Sequence, residues 1–285
     1  MALEICAAAP RKLRQSFHLF SPHQSMNSED SGKLVAALVR GISVLQCFSN
    51  KHQELSAREL MDMTGLPKPT LFRLIDTLCE LNLMRYSERL SKYVPGVGLL
   101  NLSSPVLARM HMRQFARPHM QELANHLEGQ IQLAVGHGRQ LCLVELANGL
   151  TNKVFLPEIG VHISLSRTAT GRAYLLSLPE AEREAFIAEL QADDPARAQQ
   201  LRERLDDARR DLAEHGFCRS HGDLHREIQS IAVPMSTAQD GEYWVFSVSL
   251  PIYSPQSRAL ESDAGPRLIT LVRLVEGMLG ASSLS

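Results

Sequence analysis

One segment narrows the possible folds more than any other. Residues 55–84 read LSARELMDMTGLPKPTLFRLIDTLCELNLM. Ser56 and Glu59 have the spacing of a capping box and open a helix that runs through Met63. Thr64-Gly65-Leu66 ends it, because Gly65 adopts positive φ without a steric cost. Pro67 and Pro69 stand at the start of the next helix, where missing amides cost nothing. That helix continues to about Leu81 on an apolar stripe of Leu71, Leu74, Ile75 and Leu78. Two helices joined by a tight glycine turn at this spacing make a helix-turn-helix.

The flanks complete the motif. Leu34, Leu38, Ile42 and Leu45 recur at helical spacing and predict a helix over residues 34–48. After the second helix, β segments at 83–87 and 92–95 bracket a polar turn at 88–91. Three helices and a hairpin within this length form a winged helix-turn-helix.

The chemistry of this segment suits DNA. One face of the second helix carries Lys68, Thr70 and Arg73 near its N-terminal end, the part of a recognition helix that meets base edges. Arginine and lysine contact guanine or phosphate, and threonine contacts a base edge or the thymine methyl. Arg58 on the first helix adds a further cation. Arg89 and Lys92 at the wing turn suit phosphate or minor-groove contacts. Charge supports this mildly: residues 34–96 hold eight Lys/Arg against six Asp/Glu, within a chain whose net charge is -1. A winged helix can also serve protein–protein contact.

The remainder predicts an α+β architecture in further parts. Residues 1–30 read as a flexible tail and 31–96 as the winged domain. Residues 97–112 form a linker helix that Pro105 kinks or restarts, and 113–285 form a second domain. In that domain the patterning predicts a helix at 114–127 and strands at 130–135, 140–146, 153–156 and 162–165. A short helix follows at 170–178, then a charged helical stretch at 179–215 that breaks at Asp193-Asp194-Pro195. Strands at 228–234 and 243–250 precede a last helix at 258–279. Mixed strands bracketed by helices suit a sensory domain.

Other classes find little in the sequence. There is no G-x-S-x-G elbow, P-loop or H-E-x-x-H, so no catalytic residue and no enzyme is expected. Cys6, Cys47, Cys79, Cys142 and Cys218 are scattered without a C-x-x-C pair, which points to reduced thiols in a cytoplasmic protein. No apolar run approaches the roughly 20 residues of a membrane helix. The basic residues Arg11, Lys12 and Arg14 follow the short apolar run at 5–9, the reverse of a signal peptide. His221 and His225 are candidate ligands, but no metal and no cofactor is expected. A redox or chromophore sensor using Cys142 or Cys218 is the alternative to a small-molecule sensor.

From Leu34 to Leu279 the chain resembles the IclR family of bacterial transcriptional regulators. The matching fragments are RGISVLQCF, LSARELMDMTGLPKPTLFRLIDTL and KYVPGVGLL in the first part. In the second they are ARPHMQELA, HISLSRTATGRAYL, GFCRSHGD, IQSIAVPM and WVFSVSLP. Their order and spacing carry the likeness. The resemblance implies a C-terminal GAF-like α/β effector-binding domain for a small organic molecule, often a carboxylate or aromatic acid. It implies a homodimer or dimer of dimers on a double-stranded DNA operator, as repressor or activator. It maps the effector pocket to Ala169, Thr170, Ser220, Ser230, Ser247 and Ser249. Thr170 with Gly171 opens a helix whose amides suit a carboxylate, and Ser247 and Ser249 share one strand face. The apolar linker residues Leu99, Leu100, Leu102, Val106 and Leu107 are a candidate oligomer seam. Glu227 and Ile228 stand near the family's usual glycine, and Ser230 stands where some relatives use cysteine, so no relative's ligand carries over.

Overall fold

The computed structural model describes residues 34–150, 157–239 and 241–282. It divides into two compact units that meet between Arg109 and Met110.

The first unit is built as its local signals dictate. Helix α1 (Ala36–Leu45) precedes α2 (Ala57–Thr64) and α3 (Lys68–Glu80). The capping box is complete: Ser56 Oγ accepts the Glu59 amide at 3.2 Å, and the Glu59 carboxylate accepts the Ser56 amide at 2.7 Å. Those bonds hold the Glu59 carboxyl below the usual carboxylate range. Gly65 closes α2 in the left-handed region at φ 67°. Strands β1 (Met84–Ser87) and β2 (Lys92–Pro95) pair antiparallel as the wing. Leu71, Ile75 and Leu78 of α3 are buried with Val44, Leu60 and Met84. Helix α4 (Gly98–Arg109) follows and is continuous through Pro105, so no new helix starts there. None of its residues is buried, and Leu100, Leu102 and Val106 are exposed.

The second unit is a five-stranded antiparallel sheet with helices on both faces. Its strands are β3 (Gln130–His137), β4 (Gln140–Asn148), β5 (Cys218–His221), β6 (Ile228–Pro234) and β7 (Tyr243–Pro251). Their order is β4-β3-β7-β6-β5. On one face lie α5 (His111–Leu127) and α9 (Gly265–Ser282), packed over Ile131, Leu133, Phe246 and Val248. On the other lies α6 (Ala169–Ser177), backed by α8 (Pro195–His215), which pairs with α7 (Glu180–Asp193).

Several expectations are corrected. The strand expected at 162–165 is a single bridge, Cys142 to His162. Strand β5 was not anticipated. The last helix begins as a 3₁₀ turn and a π turn before Gly265. The strand expected at 153–156 and the tail at 1–30 lie outside the described residues.

Helix α6 is seated on the sheet by a large residue over a small one. Tyr174 is fully buried, and its hydroxyl donates to Gly138 O at 2.7 Å. A Cβ on Gly136 would stand 2.0 Å from the Tyr174 ring. Burial drives the phenol pKa upward, so the hydroxyl stays a donor. Trp244 is the one tryptophan in the chain and is buried in this unit, so its fluorescence reports this unit alone. We expect Tyr174→Phe to lower the stability read by that probe by about 1 kcal/mol. Gly136→Ala should cost more, roughly 1–3 kcal/mol, because the ring has to move. Wild-type denaturation curves for both variants would remove this contact from the account of the fold.

Candidate functional site

Two surfaces carry the residues singled out by sequence. The first is on α3 and the wing. Lys68 and Arg73 are exposed at the N-terminal half of α3, and Thr70 is half-buried between them. Leu71, Ile75 and Leu78 face the core, so burial orients the polar side outward. The Lys68 ammonium lies 5.8 Å from the centre of the Phe72 ring. Arg58 on α2 and Arg89 at the wing turn are exposed. Arg58, Arg73 and Arg89 have no carboxylate partner among the described residues, which leaves their charge available to phosphate. Lys92 differs, because it pairs with Glu59 at 3.6 Å. Arg85 on β1 is also exposed; it went unnamed because a lone arginine in a short strand carries no pattern.

The second surface is the α6 side of the sheet. Strand register joins Ser220, Ser230, Ser249, Gln130 and Asn148 in one row across all five strands. Directly opposed residues of antiparallel strands point to the same face. The next row on that face holds Ser247 and Gln132, between Ala232 and Leu146. The same face carries Cys218, Ala232 and Val245, which are buried with Ala169 and Tyr174 of α6. Ser247 and Ser249 therefore share a face, and Ser220 and Ser230 join them.

The polar groups in these rows are unevenly satisfied. The Gln132 amide donates to Gln130 Oε1 at 2.5 Å, and the Gln130 amide to Asn148 Oδ1 at 3.2 Å. Ser220 Oγ donates to Asp223 at 3.0 Å. Ser247 is fully buried, and its hydroxyl has no hydrogen-bond partner among the described residues. Gln130, Gln132 and Asn148 were not foreseen. The available signal was the run QIQ, polar at alternate positions inside an otherwise apolar strand.

Helix α6 brings Ala169 and Thr170 to this side, both buried. The start of the helix is corrected, by two residues for the cap. Thr168, not Thr170, is the N-cap, and its hydroxyl accepts the Gly171 amide at 2.8 Å. Thr170 lies inside the first turn, where the amides of Ala169 and Thr170 have no intrahelical acceptor. Among the described residues no group of His, Cys, Asp or Glu is placed to hold a metal, and no helix is long and apolar enough to cross a membrane.

Comparison with known proteins agrees across both units. The family model for the bacterial transcriptional regulator IclR C-terminal domain matches residues 104–273, and that for the IclR helix-turn-helix domain matches residues 37–88. The crystal structure of an IclR family transcriptional regulator from Brucella abortus is 32% identical. It covers 90% of this chain and 97% of that one, with a TM-score of 0.78. The HTH-type transcriptional regulator TsaQ1/TsaQ2 of Comamonas testosteroni is 28% identical over 267 residues, 93% of this chain and 95% of that protein. An IclR homolog from Microbacterium hydrocarbonoxydans, solved in complex with 4-hydroxybenzoate, shares the fold. It is 19% identical with a TM-score of 0.62, over 84% of this chain and 100% of that one.

The described thiols are poorly suited to sensing. Burial pushes the Cys218 thiol up to about 12 and the Cys47 thiol up to about 11. Cys142 is also raised by burial. A thiol of pKa 12 is about one part in ten thousand thiolate at pH 8, and the thiolate is the reactive form. We expect a disulfide-exchange reagent at pH 8 to leave Cys47, Cys142 and Cys218 unlabelled in the native protein and to label all three in guanidinium. Peptide mapping by mass spectrometry reads the sites. Fast native labelling of Cys142 or Cys218 would revive the thiol-sensor alternative.

Proposed function

The chain belongs to the IclR family of bacterial transcriptional regulators, with a DNA-binding helix-turn-helix and an effector-binding domain. From that premise we propose that it reads a specific operator with the first turns of α3, and that a small organic acid on the α6 side of the sheet controls that binding. Proteins of this family are regulators, not enzymes.

The observation that carries the effector reading is the polar row. Five strands converge hydroxyl and amide groups onto one face of an otherwise apolar core, and the buried Ser247 hydroxyl has no hydrogen-bond partner among the described residues. Leaving such a group unmade costs about 1–3 kcal/mol. A polar ligand that accepts from it offsets that cost. The first-turn amides of α6 suit the carboxylate of that ligand, and the serine and amide row suits its remaining polar groups. Ala169, Thr170, Ser220, Ser230, Ser247 and Ser249 are the contacts, with Gln130 and Gln132 added. The relative that binds 4-hydroxybenzoate supports an acid of this size.

On the DNA side, Lys68, Thr70 and Arg73 meet base edges while Arg58, Arg89 and Lys92 meet phosphate. Two or four copies of the chain, in the cytoplasm, present paired recognition helices to a partly palindromic operator. The exposed leucines and valine of α4 are the seam. The winged domain at 31–96 is joined by α4 to the effector domain, whose compact unit begins at Met110. The effector acts only through its differential affinity for the DNA-competent state, transmitted by residues 97–112.

Two outcomes follow. On an operator selected by the wild-type chain from random duplexes, Lys68→Ala and Arg73→Ala should each weaken binding by about 1–3 kcal/mol without lowering the thermal midpoint. Unchanged gel-shift affinity in both would reject α3 as the reading helix. A thermal-shift panel of small organic, aromatic and sugar acids should raise the midpoint of the wild type by linkage. In Ser247→Leu/Ser249→Leu the shift should vanish while operator binding persists. An undiminished shift in that double variant would move the pocket elsewhere.

A further inference from the structure

A cavity lies at the junction of α6 and α8, bordering the serine row through Asp223, which accepts from Ser220. It has a volume of about 450 Å³, and its walls include Arg167, Arg172, Arg197, Arg204, Asp194 and Asp223. Ser230, Ser247 and Ser249 do not line it. Four guanidiniums face two carboxylates, so the walls carry excess positive charge.

The pairing shows which charges remain. Asp223 serves Arg172 at 3.0 Å and Arg204 at 3.3 Å, and it also accepts from Ser220. The Asp194 side chain caps α8 by accepting the Arg197 amide at 3.0 Å. That amide is therefore not available to a ligand, and the helix end is not the source of attraction. Arg197 reaches only a hydroxyl, donating from Nε and Nη2 to Ser166 Oγ at 3.2 and 3.1 Å. Arg167 reaches only a carbonyl, Leu224 O, at 3.4 Å. Among the described residues, two guanidiniums on this cavity thus have neutral partners alone. Arg172 is 2% exposed, and its Nη1 sits close to Asp223 without an aligned hydrogen bond.

We propose that this cavity is a second ligand site, for the phosphate group of a small phosphorylated molecule. Two uncompensated guanidiniums match a dianionic oxyanion with several acceptor oxygens, whereas a single carboxylate neutralises only one of them. The volume falls within the range of about 300–1,000 Å³ for small-molecule pockets and exceeds what an inorganic ion fills. The site differs in lining from the serine row, because none of Ala169, Thr170, Ser220, Ser230, Ser247 and Ser249 lines the cavity. Asp223 touches both places, through Arg172 and Arg204 on one side and Ser220 on the other.

Inorganic pyrophosphate is the probe, titrated into the full chain by calorimetry at low ionic strength. One saturable site per chain is expected. Arg167→Gln/Arg197→Gln should weaken it by at least roughly tenfold, the scale of a lost charged hydrogen bond. Arg167→Glu, at an exposed position, tests the same loss where folding is not in question. Lys68→Ala/Arg73→Ala and Ser247→Leu/Ser249→Leu should both keep the binding, which separates this site from the DNA surface and from the serine row. No saturable binding, full affinity in Arg167→Glu, or loss in the Lys68→Ala/Arg73→Ala variant would overturn the proposal.

Discussion

The seating of α6 on the sheet is the contact from which the second unit's chemistry follows. Tyr174 fills the space left by the missing side chain of Gly136, and its hydroxyl ties α6 to the β3–β4 turn at Gly138. Because the ring and the strand touch without a gap, α6 has little freedom to slide. Interiors at this density resist displacement by even a methylene. That contact sets where the N-terminus of α6 falls, and so where Ala169 and Thr170 present their amides. Thr168 completes the arrangement by taking the Gly171 amide and defining the first turn.

Buried charge then links the parts around that helix. Arg172 leaves α6 and donates to Arg219 O at 2.6 Å while pairing with Asp223. Arg219 in turn grips Asp211 of α8 and pairs with Glu261 at 2.9 Å. On the opposite face Glu145, itself buried, holds Arg113 at 3.1 Å and Arg117 at 2.8 Å from α5. Buried ion pairs are weak evidence for stability, because desolvation consumes most of the Coulomb gain. Their directional demand is a different matter. A misplaced helix would strand a guanidinium in the core, so these pairs disfavour alternative packings more than they stabilise this one.

The two units were unequally legible in the sequence, and the reason is the range of the interactions involved. Everything that defines α2 and α3 is local: Ser56 and Glu59 cap each other, Gly65 turns the chain, and one stripe is apolar. Such signals lie within a few residues and read directly. In the second unit the long apolar strands were visible, but strand β5 was not. It has four residues, two of them Arg219 and His221, and it exists because β6 pairs with it. The 162–165 segment errs the other way, having alternation but only one bridge to β4. Pro105 predicts a kink or a new helix start. Yet α4 continues through it, since one missing amide in an exposed helix is tolerated when little packs there. Among the pocket candidates, the family likeness supplied the serines, while Gln130 and Asn148 became visible only through strand register.

The polar row is also where the sequence departs from what folding alone favours. Val245, Ser247 and Ser249 alternate on β7 toward α6, while Trp244, Phe246, Val248 and Leu250 fill the opposite face without a polar interruption. Alanine or valine at Ser247 would bury the same strand with no unmade hydroxyl. A row that combines Ser220, Ser230, Ser249, Gln130 and Asn148 across five strands multiplies that departure. Local rules tend to fail at functional sites, where another requirement outweighs stability. The opposite face also carries polar groups, but there the charges are paired, Glu145 with Arg113 and Arg117 and Arg219 with Asp211. On the α6 face the buried Ser247 hydroxyl has no partner among the described residues, and a bound acid would supply one.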